Sequence, residues 1–106
     1  MKKGGHGMKK YQSTVDACRV RALRFRDRIG SVPYLITDGF AYHVIVRIGG
    51  RCYDKFGVRS LTDIVEDVER SWGREGLKVC RLTWEQLERF GGMDVCEIRS
   101  ELGGMS

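Results

Sequence analysis

The sequence predicts an α+β domain: a mainly antiparallel sheet packed against two or three helices, in the order α-β-β-β-α-β-α-β. Three observations predict it. Apolar residues recur at three- and four-residue spacing in two well-separated segments, the period of a half-buried helix. Between them lie alternating, β-branched stretches punctuated by Asp38-Gly39 and Gly49-Gly50, the composition of strands joined by tight turns. Glycine also stands where each periodic run stops. A chain of 106 residues holds one domain, so the expected division is a flexible basic arm at 1–10, a single α+β domain at 11–102 and a frayed tail at 103–106.

The elements follow in order. Ser13 with Asp16 three positions on reads as a cap and its reciprocal acid, opening a helix over 14–29. Val15, Cys18, Ala22, Phe25 and Ile29 form its apolar stripe, Leu23 widens it, and Gly30 ends it. Arg19, Arg21, Arg24, Arg26 and Arg28 fall largely off that stripe. Pro33 excludes helix for Val32, and Tyr34–Thr37 and Ala41–Ile48 read as strands. The returning strand spans Arg51–Phe56. Ser60 caps a second helix carrying Leu61, Ile64, Val65, Val68 and Trp72, closed by Gly73. Leu77–Leu82 is a strand. Thr83-Trp84-Glu85-Gln86 is a capping box for a short helix to Phe90, and Met93–Ile98 reads as a last strand.

Composition excludes several classes. With 42% hydrophobic and 31% charged residues the chain matches a folded domain, not a disordered one. No apolar run approaches the roughly 18–20 residues of a membrane span, and the basic start MKKGGHGMKK has no apolar segment behind it, so it is not a secretory signal. A cytoplasmic location is expected. The net charge of +5 hides an asymmetry: all the excess positive charge lies in the first 30 residues. That placement calls for an acidic macromolecular partner, a host protein complex or a nucleic acid. Lys9, Lys10, Arg19, Arg21, Arg24 and Arg28 are the expected contacts, with Arg21, Arg24 and Arg28 as one row. A solvated helix face is the plain alternative. Gly49-Gly50 and Gly91-Gly92 lack the strand–loop–helix setting of a phosphate loop, and nothing calls for a cofactor.

Cys18, Cys52, Cys80 and Cys96 include no closely spaced pair, so neither a zinc knuckle nor a disulfide framework is indicated. Free thiols are expected, mostly as small buried apolar residues. The hairpin carries more information. A two-residue Gly49-Gly50 turn sets Ile48 opposite Arg51, so paired numbers sum to 99. Ile45 then opposes Asp54, and alternation sets His43 and Asp54 on one face as diagonal neighbours. An aspartate there can accept an imidazole proton and orient the ring, either as a structural pair or as the working half of a nucleophilic triad. His43, Cys52 and Asp54 also share the face as a conceivable metal set.

Cysteine on an early helix, histidine on a strand and a polar residue across the hairpin resemble the order of papain-like folds, including NlpC/P60 peptidases and transglutaminase-like domains. The resemblance implies Cys18 as nucleophile, His43 as base and Asp54 as orienting residue. Residues 41–72, AYHVIVRIGGRCYDKFGVRSLTDIVEDVERSW, also look similar to a stretch in small uncharacterised proteins of phages and mobile elements. Two functions stand side by side. The leading expectation is a non-enzymatic binding protein, an accessory or inhibitor of anti-defence (anti-CRISPR) type that meets an acidic surface through its basic arm and arginine helix. In that reading Cys18 fills the apolar stripe. The alternative is a compact cysteine hydrolase or transferase using Cys18, His43 and Asp54.

Overall fold

A computed structural model of the chain describes residues 15–39, 41–91, 93, 97–98 and 100–101. The arm, the Ser13 cap, Lys9, Lys10, Cys96 and the tail fall outside these residues. Helix α1 (Val15–Leu23) is followed by strands β1 (Ser31–Thr37), β2 (Tyr42–Ile48), β3 (Arg51–Asp54) and β4 (Gly57–Arg59). Helix α2 (Leu61–Trp72), strand β5 (Lys78–Arg81) and helix α3 (Trp84–Arg89) complete the order. The strands form one antiparallel sheet, β4-β3-β2-β1-β5. The α+β class and the antiparallel sheet with its helices are as the sequence pattern predicts.

Each face of the sheet is covered. On one side Leu35, Tyr42, Val44 and Val46 pack with Cys18 and Ala22 of α1 and Leu87 of α3. On the other, Ile36, Ile45 and Cys52 pack with Ile64, Val68 and Trp72, the inward stripe of α2. The α2 ends are those expected: the Ser60 hydroxyl accepts from the Asp63 N–H, and Gly73 adopts φ +67° at the C-cap. Thr83 and Gln86 form the capping box of α3.

Three local expectations are corrected. The first helix does not run to residue 29. After Leu23 it tightens into three-residue turns, with Arg24, Phe25, Arg26 and Arg28 each donating to the carbonyl three residues back. Ile29 consequently leaves the stripe and is 98% exposed. The expected Arg51–Phe56 strand breaks after Asp54, whose Oδ1 accepts from the Phe56 N–H at 2.9 Å and turns the chain into β4. Glu97 and Ile98, expected in a strand, are helical, and Ile98 is buried against the α1–α3 side.

The β2–β3 register is the predicted one: Ile48 faces Arg51, Arg47 faces Cys52 and Val46 faces Tyr53. Gly49 provides the positive φ (+63°) for this two-residue turn.

A candidate active site: thiol, imidazole and carboxylate in line

His43 lies three residues before Val46, the β2 residue that pairs with Tyr53, on the stretch of β2 that β3 leaves uncovered once it has turned at Asp54. Alternation gives it the side of Ile45, toward α2, and β1 covers its backbone through the Ile36–His43 pair. Its ring therefore sits at the margin of the sheet, where both helical layers reach it. His43 Nε2 lies 3.0 Å from Asp54 Oδ2, and His43 Nδ1 lies 3.9 Å from Cys18 Sγ of α1. The three residues that the sequence brackets together are brought together. Both Cys18 and His43 are almost wholly buried, at 2% and 1% exposure.

The proton positions follow from the partners. A carboxylate can only accept, so Nε2 carries the proton and donates it to Asp54. Nδ1 is then the lone-pair nitrogen, and it faces the thiol. Burial pushes the His43 imidazolium toward losing its proton, but the hydrogen bonds to Asp54 and Cys18 outweigh it and leave the pKa above the ordinary histidine value. Burial likewise pushes the Asp54 carboxyl up, yet the His43 hydrogen bond and the Phe56 N–H hold it below the usual carboxylate range.

Cys18 is the fourth residue of α1. Its side chain lies on the buried face that α1 packs on the sheet, on the apolar stripe read from the sequence.

Two site residues were missed by sequence reasoning. Arg59 of β4 donates from one guanidinium nitrogen to Asp54 Oδ2 at 2.9 Å and from the other to Asp67 Oδ2 of α2 at 3.0 Å. Its place in the chain offered a weak signal, since Arg59 precedes the Ser60 cap and Asp67 lies on the helix so opened. With the hydrogen-bonding capacity of Asp54 taken by His43, Arg59 and Phe56, the conceivable His43–Cys52–Asp54 metal set is corrected: no group of three metal-binding side chains occurs among the described residues.

The binding residues are partly redeployed. Arg24 and Arg28 sit on the turn after α1, so the expected helical row with Arg21 does not form. Arg19 packs its guanidinium over Gly91, where an added Cβ would meet it at 2.7 Å. Arg26 pairs with Glu88 of α3 at 2.7 Å. Arg21, Arg24 and Arg28 remain exposed. Cys18, Cys52 and Cys80 are free thiols. No helix of the described residues is long and apolar enough to cross a membrane. Comparison with protein-family models, curated proteins and solved structures gave no match for this chain.

Proposed function

We propose that the protein is a cysteine-dependent acyl-transfer enzyme, a compact hydrolase or transferase in which Cys18 attacks the carbonyl carbon of an amide or ester. The observation that carries this reading is the alignment of Cys18 Sγ, both ring nitrogens of His43 and Asp54 Oδ2. His43 Nδ1 takes the thiol proton as the sulfur bonds to the carbonyl carbon, and Asp54 stabilises the imidazolium that results. Collapse of the tetrahedral adduct breaks the bond to the leaving group, which receives the proton from Nδ1. Water, or an amine or alcohol in a transferase, then gives its proton to His43 as it bonds to the acyl carbon, and the displaced sulfur takes that proton back from Nδ1.

The test is modification by iodoacetamide, a reagent small enough for a confined thiol, with each site followed by mass spectrometry. At neutral pH Cys18 should react at least about tenfold faster than Cys52, whose thiol burial holds above the ordinary value. His43→Ala should remove the excess while the fold persists. Equal rates for Cys18 and Cys52 in the native protein would end the catalytic reading.

A second reading draws on a different observation. Ser31 pairs with Ile48, Ile48 pairs with Arg51, and the Ser31 hydroxyl lies 2.8 Å from the Arg28 carbonyl. The turn after α1 therefore lies beside the β2–β3 tip, and exposed Arg24 and Arg28 join exposed Arg47 and Arg51 at one end of the molecule. Phe25 packs on Tyr53 at 5.5 Å between centroids, with the Arg28 guanidinium 5.6 Å from the Phe25 ring. This basic end supports contact with an acidic macromolecule, compatible with catalysis elsewhere in the chain.

A further inference from the structure

We infer that Arg59 is the positioning residue of the Cys18–His43–Asp54 relay: from the α2 side it keeps Asp54 ionised and its Oδ2 turned toward His43. The inference rests on the catalytic reading above and adds to it a residue outside the triad.

The geometry is specific. Asp54 Oδ2 receives two donors, His43 Nε2 at 3.0 Å and Arg59 at 2.9 Å, while Oδ1 receives the Phe56 N–H at 2.9 Å. The carboxylate is thus held on both oxygens and cannot rotate without losing a bond. The Asp54 side chain is fully buried, so an ionised form needs a counter-charge. Arg59 provides one and is itself anchored, because its second nitrogen is held by Asp67 of α2. Asp67 in turn accepts from Arg70 on its other oxygen at 3.2 Å. A planar, forked cation suits this bridge, since its two arms reach two carboxylates at a fixed separation. The charged and titratable groups around Asp54 are therefore His43 of β2 with Cys18 beyond it, Cys52 on its own strand, Arg59 of β4, and Asp67 and Arg70 of α2. Among these, Arg59 is the one cation in direct contact besides a protonated His43.

The sign of its effect follows. An adjacent cation favours the charged carboxylate, so loss of Arg59 moves the Asp54 titration to higher pH. As pH falls, the relay would then fail earlier, because a protonated Asp54 no longer accepts from Nε2.

The experiment compares the native chain with Arg59→Gln and Arg59→Lys. Two quantities are read: the Asp54 carboxyl 13C titration by NMR, and the rate of Cys18 carbamidomethylation against pH. Arg59→Gln should raise the Asp54 midpoint and lower the plateau rate about tenfold or more, the scale of a misplaced catalytic group. Arg59→Lys retains charge without the fork, so its midpoint should stay close to native while the rate recovers only in part. A salt bridge that merely braces the fold would move the carboxyl titration but leave the Cys18 rate of a folded variant unchanged, so the rate separates positioning from bracing. If Asp54 titrates unchanged in folded Arg59→Gln, the inference is overturned whatever the thiol does. If native Cys18 shows no excess reactivity, the catalytic reading falls by itself, and the carboxyl titration still decides whether Arg59 holds Asp54.

Discussion

Asp54 concentrates the chemistry at the scale of single residues. Asp54→Ala strands the buried His43 ring and the half-buried Arg59 guanidinium, so it should cost about 3–5 kcal/mol in chemical denaturation, as when one member of a buried pair is deleted. The pH dependence of stability carries the same signature. Asp54 has a lowered folded pKa, so its contribution is complete above roughly pH 4 and is lost as pH falls through the folded value. His43 has a raised folded pKa, so its contribution is complete below roughly pH 6.5 and is lost as pH rises through the folded value. Urea midpoints measured across pH should therefore show the pair contributing most between those limits, and Asp54→Ala should flatten that region. The His43–Asp54 pair was legible because a two-residue turn dictates register, and register dictates which side chains can meet. Arg59 was not legible, because its role depends on where β3 breaks, and the Asp54 side chain itself makes that break by capturing the Phe56 N–H.

Among the elements, α2 was read most fully and α1 least. Ile64, Val68 and Trp72 recur four apart between a serine cap and a glycine stop, and every feature of that pattern is local. Ile64→Ala should cost about 2–5 kcal/mol in a denaturant titration, since the side chain is wholly buried against Ile36, Ile45 and Cys52. Gly73→Ala should cost about 1–2 kcal/mol, the penalty of a Cβ in left-handed backbone, with nothing nearby for that Cβ to strike. The end of α1 is set by contacts distant in sequence. The Ser31 hydroxyl lies 2.8 Å from the Phe25 carbonyl, Arg26 is drawn to Glu88, and Trp84 donates to the Ser31 carbonyl at 3.3 Å. No periodicity within 14–29 encodes those partners, so a stripe that continues to Ile29 in sequence ends at Phe25 in space.

For the whole molecule, the first question is how the charge is shared out. Converting Arg24, Arg28 and Arg51 together to Glu should leave thermal unfolding close to native, since all three are exposed, and should weaken binding to a polyanion such as single-stranded DNA more than tenfold. Retained binding by the folded triple variant, or binding of native protein that does not weaken with added salt, would mark this end as ordinary solvated surface. The asymmetry was visible in the sequence, but its junction with the hairpin tip was not, because strand pairing creates it. The layering has a temporal consequence as well. The His43–Asp54, Asp54–Arg59 and Arg59–Asp67 contacts close loops of 11, 5 and 8 residues, whereas Cys18 to His43 spans 25. Short loops close at lower entropic cost, so the basic half of the relay can assemble while the sulfur is still elsewhere. In refolding, the imidazole–carboxylate pair should be complete before the thiol arrives, and fast alkylation should be the last native property to return. A nascent or partly unfolded chain would carry an ordinary, slow cysteine, protected from premature chemistry by the order in which its own parts meet.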